Sequence, residues 1–297
     1  MAQFQGQFIV FCSLFWGYLF ADLPPDPALT VVNLNLRYNN PDDGKNRWEN
    51  RIPLVKAFLA ESAVDLLGFQ EVTHRQLLDL QRIMRTYESV GQGRADGLTK
   101  GEYNPIFYKK DRFELLESGT FWLSETPSVP GSIGWDAQLP RIVTWAKLYD
   151  LASGKTLLHV NTHFDNKGTR SRFESIALLS ARIRELAGNL PVIATSDFNI
   201  RKDHPRYGSK PYLQLIKTLK EDLNMESSEF LASGVISAGA TGNGFEADWQ
   251  LRPPHAVDYI FVNEKFIVHT YEVRHLLRDG IFIADHWPVI AKIAFSH

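Results

Sequence analysis

Residues 191–199 read PVIATSDFN: a short apolar, β-branched run that fits a buried strand, closed by Ser196-Asp197-Phe198-Asn199. The same arrangement recurs in both directions along the chain. TVVNL ends at Asn35, DLLGF at Gln70-Glu71, and TLLHV at Asn161-Thr162-His163-Phe164-Asp165, while Asp285-His286 stands just before WPVIAKI and Asp258 lies inside HAVDYIFV. Apolar strands are pinned in a core, so their ends are rigid platforms for small polar groups. Carboxylates and amides gathered there suit a hard cation, and histidines among them suit proton transfer. Taken singly, each cluster reads equally as a turn, a helix cap or an exposed loop. Glu71 alone would serve to cap the helix that follows it. Their joint occurrence carries the inference.

Between these ends, apolar runs alternate with amphipathic segments. Strands are expected at 30–36, 65–69, 105–108, 113–116, 142–149, 156–161, 192–195, 257–262, 267–274 and 288–294. Helices are expected at 46–61, where Ile52, Val55, Phe58 and Leu59 recur at helical spacing, and at 75–85, 171–186 and 212–219. Helices interspersed among strands, without a regular βαβ alternation, predict an α/β (α+β) fold of mixed sheets with helices on their outer faces.

The 297 residues are 44% hydrophobic and 22% charged, enough to bury a large core without covalent staples. A net charge of −2 gives no global attraction to polyanions, so any nucleic-acid contact has to come from a local patch. The single cysteine, Cys12, excludes a disulfide framework and a thiolate metal site. Oxygen and nitrogen ligands favour Mg²⁺ or Mn²⁺.

Residues 8–21, FIVFCSLFWGYLFA, form a continuous apolar run, followed by a Pro-rich spacer over 22–29. The run is short for a membrane span, which needs about 20 residues, and suits a signal-peptide core ending at a small residue, although no Lys or Arg precedes it. The chain is therefore read as a secretory signal at 1–21, a spacer at 22–29 and one domain at 30–297, in an extracytoplasmic setting. An uncleaved N-terminal anchor, a buried helix and a misassigned start codon stay open as alternatives. No membrane association beyond this segment and no protein partner is inferred, and the chain is read as a monomer.

The blocks NLNLRYNN, FQEV, GEYNPIFYKK, LPRIVTWAKL, NTHFDN, SDFN, HAVDYIFV and ADHWPV, in this order, resemble the endonuclease/exonuclease/phosphatase superfamily over about residues 30–295. The resemblance implies a four-layer sandwich: two mixed β-sheets packed face to face, with helices on both outer faces. It implies metal ligation by Glu71 and Asp285 with Asn35, water activation or positioning by Asp197, and phosphate binding by Asn199 and Arg141. His286 matches the essential histidine, with Asp258 as its orienting carboxylate. His163 matches a second histidine, and Glu102 matches that histidine's acidic partner in the deoxyribonuclease branch. Three positions depart from the common pattern: Ser196 stands for glycine, Ala284 for serine, and Asn39-Asn40 for Asp-Asn. None removes a charged site residue.

The branch resemblance is to nocturnin-like deadenylases and bacterial nuclease-like sequences. It implies phosphodiester cleavage in nucleic acid, 3′-to-5′ exonucleolytic on RNA being one form. The alternatives are a phosphomonoesterase, a phospholipid diesterase, and a non-catalytic binding protein on the same fold. Lys167, Arg170 and Arg172 after the His163 loop, with Arg201, Lys202, His204 and Arg206 after Asn199, read either as a phosphate-binding collar or as solvated helix-start loops. Trp48, Trp135, Trp249 and Tyr103 are either base-stacking platforms or core packing.

Overall fold

The computed structural model describes residues 27–202, 209–251 and 256–296. The apolar run at 8–21, most of the Pro-rich spacer, His204 and Arg206 lie outside the described residues. In chain order the elements are β1 (Leu29–Asn35), α1 (Trp48–Ser62), β2 (Leu66–Gln70), α2 (His74–Ile83), β3 (Tyr87–Val90), β4 (Ile106–Lys109), β5 (Phe113–Trp122), β6 (Ile142–Asp150) and β7 (Lys155–His163). There follow α3 (Thr169–Ala187), β8 (Val192–Asp197), α4 (Lys210–Leu223), β9 (Met225–Ser227), α5 (Ser228–Leu231), β10 (Gly234–Ser237), β11 (Asp258–Asn263), β12 (Phe266–Val273), β13 (Leu277–Arg278), β14 (Ile281–Phe282) and β15 (Val289–Phe295).

Two sheets face one another. The seven-stranded sheet has the order β10-β12-β15-β1-β2-β4-β3, and the six-stranded sheet the order β5-β6-β7-β8-β11-β9. Both are mixed: β1 and β2 run parallel, as do β7 and β8, while β8 and β11 are antiparallel. One apolar cluster takes in Val55 and Phe58 of α1, Leu77 and Leu80 of α2, the strands of the first sheet, and Ile193 and Ile260 from the second. A second cluster lies under α3 and α4, joining Ile176, Leu179 and Leu215 to Val160 and Phe261. Helix, sheet, sheet and helix therefore form the expected four layers. Among the described residues, no helix is long and apolar enough to cross a membrane.

The sheets approach closely at Gly68. A Cβ there would lie 2.0 Å from Thr195 Oγ1 and 2.7 Å from Asn161 Oδ1. Around this point the interior is polar. Gln70 Nε2 donates to Asn33 Oδ1 at 2.8 Å and to Asn161 Oδ1 at 2.7 Å, and Asn161 Nδ2 donates to Phe69 O at 2.7 Å. Asn161, expected in a polar cluster at a strand end, thus sits inside β7 and ties the two sheets together. Buried polar groups of this kind have to be paired, which makes the register between the sheets specific.

Three local expectations change. The strand beginning at Phe113 runs to Trp122, because Glu117 to Thr120 continue the pairing with β6 although they are polar or glycine. The helix expected at 212–219 is longer than its apolar stripe, covering Lys210–Leu223. Short strands β3, β9 and β10 carry too few alternating apolar residues to stand out in the sequence. The cap of α2 is Thr73, in a reciprocal capping box with Gln76. Glu71 is thereby left free for another task.

Candidate active site

Strand registers assemble the site. Asn35 is paired with Gln70, His163 with Asp197, and Asp197 with Asp258, so five polar strand ends fall on one rim. Asp285-His286 reaches the same rim through the segment 241–244. Asn243 and Gly244 donate their N–H groups to Asp285 O at 2.7 and 2.9 Å, and Trp287 N donates to Thr241 O at 2.6 Å. Thr241 Oγ1 in turn accepts from Val257 N and Asp258 N at 3.1 and 3.3 Å. Thr241 and Asn243 were not singled out by sequence; the glycine-rich TGNG they occupy was the available signal.

Arg37, Glu71 and Asn199 adopt left-handed φ values of 58°, 59° and 50°. Such backbone is uncommon outside glycine and is concentrated here at strand ends, where it turns the chain sharply and re-aims the side chains.

Asn35 Nδ2 donates to Glu71 Oε1 and to Asp197 Oδ2, each at 3.0 Å, while its Oδ1 accepts from Arg37 N at 3.0 Å. Both ends of this amide are engaged, so the structure makes Asn35 an orienting group for two carboxylates rather than a free ligand oxygen. The other Glu71 oxygen accepts from Tyr38 N at 3.2 Å. Asp285 lies 3.7 Å from Arg37 Nη1, and its Oδ1 is buried without a hydrogen-bond partner. Burial pushes the Asp285 carboxyl up to about 6, His286 opposes that, and Glu71 adds to it. Half-buried carboxylates that repel one another, one with an orphaned oxygen, are the donor set a hard divalent ion relieves; Glu71 and Asp285 fit such an ion.

Asp258 Oδ2 and His286 Nδ1 are 2.7 Å apart. Burial opposes a charge on His286, but Asp258 above all, then Asp285 and Asp197, hold its pKa well above the usual histidine value. With Nδ1–H donated to Asp258, the Nε2–H faces the cleft, 4.0 Å from Asp197 Oδ2. Ligand atoms of Asp197, Asp258 and His286 lie within 4.8 Å of one another and form another conceivable metal cluster. A cation there would displace the proton shared by Asp258 and His286, so we read this trio as a proton-holding relay. Burial, reinforced by Asp258, pushes Asp197 up to about 7.

His163 differs from expectation. Its Nε2 lies 2.9 Å from Asn199 Nδ2, which also donates to Phe164 O at 2.9 Å. A carbonyl accepts only, which fixes the amide orientation and leaves His163 Nε2 as acceptor and the ring neutral. Burial, followed by Arg141 and Arg94, keeps its pKa well below the ordinary value. Glu102, expected as the acidic partner of His163, is instead clasped by Arg94 at 2.8 and 2.9 Å, and His163 Nδ1 has no partner among the described residues. Asn199, expected to hold phosphate, has both N–H groups committed to His163 and Phe164. Arg141 does offer a free donor: its Nε donates to Asp165 at 3.4 Å, while Nη1 is buried and unpartnered.

Glu71, Glu102, His163, Asp197, Asn199 and His286 line a cleft of about 260 Å³, together with Arg37, Tyr38, Arg94, Leu139, Arg141 and Asn166. Several of the described residues of the basic collar are engaged within the protein. Arg172 is buried and donates to Asp165 O at 2.9 Å, Lys202 pairs with Glu229 at 2.7 Å, and Arg170 pairs with Glu174 at 3.4 Å. The four aromatic candidates lie outside the cleft lining. Trp48 and Tyr103 are buried, and Trp249 packs on His275 and Trp287.

The pattern of the Endonuclease/Exonuclease/phosphatase family matches residues 32–286. An endonuclease/exonuclease/phosphatase structure from Bacteroides vulgatus is 35% identical, covering 91% of this chain and 100% of its own, with a TM-score of 0.84. The Bacteroides thetaiotaomicron mannosyl-6-phosphatase Bt3783 is 33% identical, covering 90% and 100%, with a TM-score of 0.80. The human Nocturnin catalytic domain shares the fold at 19% identity, covering 92% and 95%, with a TM-score of 0.68. Among curated relatives, Drosophila melanogaster Nocturnin is 21% identical over 236 residues, which is 72% of this chain and 35% of that protein. An uncharacterised protein of Acanthamoeba polyphaga mimivirus is 26% identical over 196 residues, 54% of this chain and 28% of that one. The match thus spans about a third of either relative's length.

Proposed function

Since the chain belongs to the endonuclease/exonuclease/phosphatase family, whose members hydrolyse phosphoesters and generally depend on a divalent metal, we propose that it is a phosphomonoesterase acting on a small, hydroxyl-rich phosphorylated molecule, of which a hexose 6-phosphate is the representative. The observation that carries this reading is the cleft. At about 260 Å³ it lies below the roughly 300–1,000 Å³ usual for ligand sites. Of the basic residues that would continue it into a track for a polymer backbone, Arg170, Arg172 and Lys202 are engaged within the protein. A polymer needs a row of free cations along its phosphates; one terminal phosphate needs only the few donors at the cleft floor. The mannosyl-6-phosphatase at 33% identity points the same way.

In this reading Glu71 and Asp285 would hold a divalent ion, which would supply Lewis-acid polarisation of the phosphoryl oxygens. Asn35 keeps the Glu71 and Asp197 carboxylates aligned. Asp197 accepts a proton from the attacking water as its oxygen bonds to phosphorus, while the ester P–O bond breaks and the departing sugar oxygen takes a proton from solvent. His286, kept protonated by Asp258, donates from Nε2 to developing charge on the phosphoryl group, and Arg141 Nη1 donates to an equatorial oxygen. Burial keeps His163 neutral, with Arg141 and Arg94 adding to it, so the cleft floor carries one imidazolium and not two.

The test is a panel supplied with Mg²⁺ or Mn²⁺: p-nitrophenyl phosphate, bis-p-nitrophenyl phosphate, hexose 6-phosphates, oligo(A) and DNA. Release of inorganic phosphate from hexose 6-phosphates, with a shallow dependence on salt, is expected. Cleavage of oligo(A) or DNA without phosphate release, falling steeply with salt, would replace this reading with the nuclease.

A further inference from the structure

We propose that Arg51, together with Asn46, is a positioning residue that sets the distance between the two loops bearing Glu71's partner Asn35 and the Asp285-His286 pair. The proposal rests on the metal-dependent reading above. Arg51 is fully buried on α1, yet its hydrogen bonds go to main-chain carbonyls and not to a carboxylate. Nε donates to Asn46 O at 2.7 Å, Nη1 to Leu36 O at 2.6 Å and to Ile283 O at 3.1 Å, and Nη2 to Arg37 O at 3.2 Å. Leu36 and Arg37 immediately follow Asn35, and Ile283 stands two residues before Asp285. Asn46 grips the second loop again, its Oδ1 accepting from Phe282 N at 3.0 Å. One guanidinium and one amide therefore bind the end of β1 to the approach of the Asp285 loop.

A buried cation is expensive, and here burial pushes the guanidinium down to about 10. A hydrocarbon side chain would fill the space between Trp48 and Phe245, whose rings lie 5.3 and 5.8 Å from the guanidinium carbon, but would leave the carbonyls unpaired. The planar fork reaches three segments at fixed angles, which the single ammonium of lysine cannot do. Its charge also opposes the mutual repulsion of Asp285, Asp43 and Glu71, the acidic groups it senses, while Arg37 adds to the positive side. Groups that orient metal ligands from behind typically cost about 10–100-fold in metal affinity or activity when lost.

The experiment compares the full chain with Arg51→Lys, Arg51→Met and Asn46→Ala. Mn²⁺ affinity is read by electron paramagnetic resonance without substrate, kcat and KM on p-nitrophenyl phosphate, and folding by urea denaturation. Arg51→Lys is expected to fold, bind Mn²⁺ about tenfold more weakly and lose about tenfold in kcat with little change in KM. Arg51→Met should lose more, and Asn46→Ala should shift Mn²⁺ affinity in the same direction by a smaller factor. A folded Arg51→Lys with wild-type Mn²⁺ affinity and kcat overturns the proposal. Should both Arg51 variants fail to fold, Asn46→Ala decides: unchanged Mn²⁺ affinity overturns it, weakened affinity supports it. Mn²⁺ bound by the wild type without turnover on any phosphoester sinks the phosphoesterase reading, and the variants' Mn²⁺ affinities then judge Arg51 alone. A wild type that binds no Mn²⁺ overturns both.

Discussion

Gly68→Ala probes a close contact between the two sheets. The added Cβ would stand 2.0 Å from Thr195 Oγ1, 2.7 Å from Asn161 Oδ1 and 2.8 Å from Thr195 Cβ, all short of van der Waals contact. None of these atoms is the free end of a flexible chain. Thr195 Oγ1 is held 2.9 Å from His159 Nε2 and 3.1 Å from Asn161 Oδ1, and Asn161 is itself bonded to Phe69 and Pro105. Either the sheets separate or Thr195 rotates and gives up its bonds. Overpacking a tight core costs about 1–3 kcal/mol, and each buried hydrogen bond lost adds about 1 kcal/mol. The expected destabilisation is about 3 kcal/mol or more, a large share of the roughly 5–15 kcal/mol that holds a domain folded. Urea unfolding followed by tryptophan fluorescence measures it. The double variant Gly68→Ala/Thr195→Gly should recover at least about 1 kcal/mol relative to additivity, because the two sites touch. A single variant within about 1 kcal/mol of wild type, with an unchanged m-value, would refute the close-approach account.

His286→Ala is expected to fold normally by circular dichroism and to lower kcat by at least about a hundredfold, as loss of a positioned acid/base group does; wild-type turnover would exclude the role assigned to it. Arg141→Lys keeps a charge but loses the fork that leaves Nη1 free, so inhibition by inorganic phosphate should weaken about tenfold, the equivalent of one charge-assisted hydrogen bond, and an unchanged inhibition constant would remove Arg141 from the phosphate seat. Burial pushes His159 down to about 3, whereas an unfolded histidine titrates near 6.5. Below pH 6.5 the unfolded chain takes up a proton that the folded one refuses, so stability falls as pH falls, by about 1.4 kcal/mol per unit from this residue. Between pH 6 and 5 the wild type should therefore lose about 1.4 kcal/mol more than His159→Gln; parallel denaturation profiles would contradict that.

Local chemistry was enough to place most of the frame. A run such as Pro191–Thr195 is apolar because it is buried on both faces, and Ser196–Asn199 ends it because a small polar cluster cannot continue into the core. The helical stripe of Ile52, Val55, Phe58 and Leu59 likewise announced α1, because a helix on a sheet needs one apolar face. Strand ends at Asn35, Glu71, Asp197 and Asp285 could be read as one rim, since strands crossing the same core deliver their ends together.

What a polar side chain does at that rim was decided only by tertiary structure. Glu102 went to Arg94, not to His163, and Asn199 became the partner of His163, while Arg141 kept an unpartnered Nη1. The positive charges of Arg172 and Lys202 looked free in sequence and were turned inward or paired. Arg51, unremarked on an amphipathic helix, became a buried cation bonded across 232 positions of chain to Ile283. Such pairings depend on the register between two sheets and on which loop returns beside which strand. Those are distances among residues remote in sequence, and no local pattern encodes them.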